Sequence, residues 1–181
     1  MNFSIQLAPG HPQGLLLANP VMTASGTFGY GIEDSHLFDV QKLGAIICKG
    51  TTLEPRDGNL QPRLAETASG MLNSIGLENI GVDALIKDKA PIWASWSIPV
   101  IVNIAGETVD DYARLAGKLD GIAGISGLEV NISCPNVKAG GAEFGADPDI
   151  AAEVTAAVRE ATSLPMIVKL TPNTSDIARV A

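Results

Sequence analysis

The sequence predicts an α/β protein, the N-terminal part of a (β/α)8 (TIM) barrel with a β-hairpin in front of it. Three observations lead there. Short β-branched runs alternate with segments of helical period along the chain, the pattern of a parallel sheet. The runs are apolar throughout, as strands covered on both faces require. Their C-terminal ends carry polar or reactive residues one after another: Ser25, Lys49, Asn103, Asn131 with Cys134, and Lys169. Barrel active sites are assembled in this way, whereas a doubly wound sheet gathers its ligand at one switch point.

The elements follow in order. Phe3, Ile5 and Leu7 alternate with polar residues, and Leu15, Leu16 and Leu17 follow the turn-rich APGHPQ, which reads as a hairpin. Buried strands are expected at 20–23, 45–48, 100–103, 128–131 and 166–169. Thr108 and Asp111 form a capping box ahead of Val109, Tyr112, Ala113, Ala116 and Leu119 at helical spacing. Asp147 caps a second helix, with Pro148 at its first position and Ile150, Ala151, Val154, Ala157 and Val158 on one face. Weaker helical patterns lie near 33–40 and within 80–90, and Thr174-Ser175-Asp176 opens a last helix. A complete barrel takes about 250 residues. These 181 residues supply about five β/α units and are expected to form a single domain, 1–181, an open barrel with free strand edges.

Composition narrows the function. Twelve Lys and Arg against 20 Asp and Glu leave a net charge of −8, which excludes a phosphate-binding surface for nucleic acid. Aromatic residues at 4% are too sparse for a base-stacking platform. No apolar run reaches the roughly 18 residues of a membrane span, and the N-terminus lacks a secretory pattern. Cys48 and Cys134 form neither a metal-spaced set nor a disulfide framework, and His11 and His36 are isolated. A cytoplasmic protein without metal is therefore expected. There is no Gly-x-Gly-x-x-Gly, so no dinucleotide fingerprint.

The richest segment is Asn131-Ile-Ser-Cys134-Pro-Asn136, which runs into a Gly-rich loop ending before Asp147. Loops this long in α/β units are usually lids or binding loops. Cys134 is placed there as a nucleophile or general base, since a thiol of pKa about 8.5 abstracts protons with modest tuning. Cys48, inside the apolar run AIICK, reads instead as a small buried hydrophobe. Lys49 and Lys169 each end a strand, reaching either solvent or a shared anion or electron-rich ring. Asn103 and Asn131 are turn formers or amide partners for a ligand. Arg56 and Arg63 are expected on a solvent-facing excursion.

Several segments together resemble the class 1 dihydroorotate dehydrogenases: NPVMTASGTFG at 19–29, CKGTT at 48–52, LNSIGLEN at 72–79, VNISCPN at 130–136 and VKLTP at 168–172. NISCPN followed by GGAEFG and joined to ASGTFG is a specific combination, most like the class 1B, NAD-linked catalytic subunit. The resemblance implies a barrel enzyme that uses FMN to oxidise dihydroorotate to orotate in pyrimidine synthesis. It places Cys134 as the base. Ser25, Lys49, Gly50, Asn103, Asn131 and Lys169 fall on flavin-contacting positions. Lys49, Asn73, Ser74, Ile75, Gly76, Leu77, Asn131 and Asn136 fall on substrate-contacting ones. It also implies a homodimer joined to an iron–sulfur flavoprotein in a heterotetramer, with FAD, a 2Fe-2S cluster and the NAD site on that partner. The family's flavin-phosphate loops follow strands seven and eight, so this stretch alone is expected to hold FMN poorly. A partial barrel acting as an interaction module, or a lysine forming a Schiff base as in aldolases, are the competing readings.

Overall fold

The computed structural model describes residues 1–33, 35–133 and 145–181. At the front, β1 (Ile5–Gln6) and β2 (Leu16–Leu17) pair antiparallel as the expected hairpin. Next come the short strand β3 (Ile46–Ile47) and an antiparallel pair, β4 (Leu64–Thr67) and β5 (Gly70–Asn73). Helices α1 (Val82–Asp88) and α2 (Ala90–Trp93) lead into β6 (Val100–Ile104), α3 (Val109–Leu119) and β7 (Gly127–Asn131). The chain continues with α4 (Pro148–Ala161), β8 (Met166–Lys169) and α5 (Ile177–Val180). Strands β3, β6, β7 and β8 form one parallel sheet in that order. This is the arc of a barrel wall, with its helices on the outside.

Period two divides each strand between two environments. Outward-facing Cys48, Val100, Val102, Ile104, Leu128 and Val130 pack with Val82, Leu85, Trp93, Tyr112, Leu115, Val154 and Val158 of the helices in the main core. Inward-facing Ala45, Ile47 and Ile101 pack with Leu15 and Leu17, so the hairpin closes the N-terminal end of the barrel. Further along the same inner face come Asn103, Glu129, Asn131 and Lys169. The caps form as expected. Thr108 Oγ1 accepts from Asp111 N at 3.1 Å while Asp111 Oδ2 accepts from Thr108 N at 3.0 Å. Asp147 Oδ1 accepts from Asp149 N and Ile150 N.

Two expectations need correction. The strand at 20–23 is reduced to a single parallel bridge, Met22 to Ala45. Pro20 has no N–H to give a ladder, and the Thr23 hydroxyl takes over by accepting from Ile47 N and donating to Ile47 O. No helix forms among the described residues of 33–39. Glu33 turns its carboxylate back onto Tyr30 N and Ile32 N, and Asp39 caps a new 3-10 turn at Val40–Lys42, as a short polar side chain competing with a helix does. Arg56 and Arg63 lie on the mostly exposed excursion expected of them, where each is half-buried and ion-paired, to Glu107 and Glu78 respectively. The β4–β5 hairpin that follows Arg63 has no signal in the sequence, because its strands are four residues long and exposed along their whole length, and lack a buried face to set a period.

Candidate active site

At the C-terminal end of the sheet lies a cavity of about 400 Å³ lined by Ser25, Gly26, Lys49, Gly50, the segment 73–78, Asn103, Asn131 and Lys169. Every site residue expected from the sequence among the described residues therefore meets in one cleft. Cys134 and Asn136 lie outside the described residues.

Each wall has a local cause. Lys49 and Gly50 leave the end of β3, where Lys49 N donates to Gly29 O at 2.8 Å and Thr51 N to Asn103 O at 2.8 Å. A Cβ on Gly50 would stand 3.1 Å from Asn103 Oδ1 and 3.2 Å from Leu77 Cδ2, so a side chain here would crowd the wall. The 73–78 loop runs back from β5 over the cleft. Asn59 Nδ2 donates to Ser74 O and Ser74 Oγ, both at 2.9 Å, and the Arg63–Glu78 pair holds the far end. Leu77 sits at φ 55°, a left-handed conformation that costs a non-glycine residue roughly 1–2 kcal/mol. Strain of this kind persists where surrounding contacts over-determine a functional loop.

The floor is polar and connected. Lys169 Nζ donates to Ser25 Oγ at 3.1 Å and lies 3.8 Å from Glu129 Oε1. Asn103 Nδ2 donates to the same Glu129 oxygen. Asn131 Nδ2 donates to Asn103 Oδ1 at 3.4 Å, and Ser133 Oγ donates to Asn131 Oδ1 at 2.9 Å. From the helix layer Tyr112 OH donates to Asn131 O at 2.8 Å. Lys49 Nζ stands 6.0 Å over the Tyr30 ring, and burial pushes the Tyr30 phenol up to about 12. Cys48, fully buried behind the wall, has its thiol pushed by burial up to about 12, which fits the packing role read from AIICK and excludes a ready thiolate.

Two ammonium groups and three carboxamides thus line a cavity of ligand size. Such a wall suits a planar ligand rich in acceptors, the chemistry of a flavin ring edge or of a carboxylated pyrimidine. Among the described residues, no group of His, Cys, Asp and Glu is arranged to hold a metal ion, and no helix is long and apolar enough to cross a membrane. Sequence reasoning missed Glu129, Glu78, Asn59 and Arg63. A signal for Glu129 is present: one carboxylate between Leu128 and Val130 in an otherwise apolar strand.

Comparison with known proteins shows the family. The family model described as dihydroorotate dehydrogenase matches residues 11–181. The chain is similar to proteins named dihydroorotate dehydrogenase B (NAD(+)), catalytic subunit. It is 56% identical over 168 residues to that of Geotalea daltonii, covering 93% of this chain and 55% of the relative. The corresponding protein of Desulforudis audaxviator is 57% identical with the same coverage. That of Desulforamulus reducens is 59% identical over 165 residues, 91% of this chain and 54% of the relative. The chain spans about half the length of the curated relatives it matches.

Proposed function

The chain belongs to the dihydroorotate dehydrogenase family, and we propose that the protein it forms oxidises dihydroorotate to orotate for pyrimidine synthesis in the cytoplasm. The observation that supports this reading is the single cleft in which residues from β3, β5, β6, β7 and β8 meet. Ser25, Lys49, Gly50, Asn103, Asn131 and Lys169 are the residues that would hold FMN. The close fit at Gly50 and the donor-rich wall suit a flat, acceptor-edged ring. Bound FMN would supply the acceptor for the hydride that leaves C6 of the substrate.

The chain's own residues do the rest. Lys49 pairs with the substrate carboxylate through a charge-assisted hydrogen bond. The segment of Asn73, Ser74, Ile75, Gly76 and Leu77, together with Asn131 and Asn136, holds the ring amides. Cys134, as thiolate, takes the C5 proton while the C5–C6 double bond forms, and so acts as the general base. Lys169, with Ser25 as its acceptor, keeps a cation beside the ring edge where negative charge collects on reduction. The relatives are named catalytic subunits of an NAD(+) enzyme. By extension this protein pairs with an iron–sulfur flavoprotein carrying FAD and a 2Fe-2S cluster, which hands the electrons to NAD.

Anaerobic absorbance spectroscopy tests the reading. Full-length protein purified with its flavin should bleach on addition of dihydroorotate; a bound flavin that stays oxidised would refute the activity. Cys134→Ala should keep the flavin spectrum and lower turnover about 10²- to 10⁴-fold. Cys134→Ser should leave slower turnover that rises at high pH. A folded, monodisperse and colourless protein would instead favour an interaction module.

A further inference from the structure

We infer that Glu129 is the positioning residue of this cleft: its buried carboxylate holds the Lys169 ammonium and sets the direction of the Asn103–Asn131–Ser133 hydrogen-bond chain. The cleft therefore offers donors to the ligand edge. The inference rests on the flavin and dihydroorotate reading above.

Glu129 stands in the middle of β7, where an apolar side chain would serve the strand as well. Its side chain is 7% exposed, against 35% for Lys169. A buried carboxylate is costly unless paired and hydrogen-bonded, and both conditions are met here by residues of the cleft. The direction of the chain follows from donor and acceptor types. An ionised carboxylate only accepts, so the Asn103 amide must turn its NH2 toward Glu129 and its oxygen toward Asn131. Asn131 must then turn its NH2 toward Asn103 and its oxygen toward the Ser133 hydroxyl. One anion thus orients two amides on neighbouring strands. Each amide nitrogen keeps a second N–H, and the Lys169 ammonium keeps two beyond the one it gives Ser25, with Glu129 as its ion-pair partner. Ser133, at the end of the chain, directly precedes Cys134 in sequence.

The test is Glu129→Gln in the full-length protein carrying its flavin, a change that preserves length and an acceptor oxygen and removes the charge. With Lys169 left uncompensated, the flavin midpoint potential is expected to rise by about 30 mV, a tenfold gain in affinity for reduced over oxidised flavin. The orotate Kd is expected to weaken about tenfold. In a Lys169→Gln background the same change should leave the potential where it is, since the effect passes through Lys169. A potential equal to wild type in Glu129→Gln, or an equal shift with and without Lys169, would overturn the inference. Should Glu129→Gln fail to accumulate, Glu129→Asp keeps the anion on a shorter arm. It should hold the potential near wild type and weaken orotate binding, and unchanged binding would overturn the inference. A wild-type flavin that dihydroorotate does not reduce would refute the functional reading alone. Melting temperatures of the four flavin-free proteins of the Glu129 and Lys169 cycle then decide the pairing: non-additive shifts support it and additive shifts overturn it.

Discussion

The outer and inner faces of the four-stranded sheet are made by the same strands, yet they are built to opposite rules. Outward positions are apolar from end to end, and on β6 and β7 they are fully covered, with Val100, Val102, Leu128 and Val130 all at 0% exposure. Inward positions change character along the strand, from Ile101 and Gly127 at the N-terminal end to Asn103, Glu129 and Asn131 at the other. Burial alone does not separate them, because Asn103 is also at 0%. What differs is how the polar groups are satisfied: they bond to one another around a cavity. The outer face carries stability and the inner C-terminal end carries the candidate site, as barrels divide the two tasks.

Substitutions on each face can break or sharpen that division. Trp93 on the outer layer is 1% exposed and donates from Nε1 to Tyr30 O at 3.1 Å. Trp93→Ala should lower the unfolding free energy by about 3–5 kcal/mol and leave orotate affinity unchanged, as read by chemical denaturation beside a ligand titration. A weakened ligand with intact stability would contradict the division. Lys49→Gln on the inner side should do the reverse. Losing a charge-assisted bond worth about 2 kcal/mol weakens orotate about 30-fold, while the melting temperature stays within a few degrees.

The buried thiol of Cys48 gives a pH signature of the outer core. Its ionisation moves from 9.0 up to about 12 on folding, so the native state holds the proton more tightly. The stabilisation is complete below about pH 9 and is lost between pH 9 and 12, at about 1 kcal/mol per pH unit. Denaturation of wild type and Cys48→Ala at pH 8 and pH 10 should show the steeper loss in wild type; parallel losses would show that the thiol does not contribute. The smallest effect is expected at the surface of the helix layer. Thr108→Ala removes one arm of the capping box and should cost about 1 kcal/mol, with no change in ligand binding.

Much of this architecture is legible along the chain. The capping box at Thr108, the Asp147-Pro148 start and the hairpin of Phe3 to Leu17 are contacts between near neighbours in sequence, and short-range patterns reveal all three. The candidate site residues come from motif resemblance, and the cleft brings together those among the described residues. The failures share a cause. The strand at 20–23 and the helix near 33–40 give way to side chains that capture backbone groups, Thr23 on Ile47 and Glu33 on Tyr30 and Ile32. The β4–β5 pair buries nothing that would impose a pattern.

The sequence by itself determined the order of the parallel strands β3, β6, β7 and β8, where α3 and α4 begin and which residues end those strands, because periodicity and caps act over a few residues. Only the tertiary structure decided that Lys169 reaches Ser25, 144 positions away, that Arg63 anchors the cleft-lining loop through Glu78, and that Glu129 belongs to the cleft. A carboxylate inside a strand is an anomaly when read along the chain. It becomes a partner only when the curvature of the sheet brings a lysine and an asparagine from neighbouring strands to its oxygens.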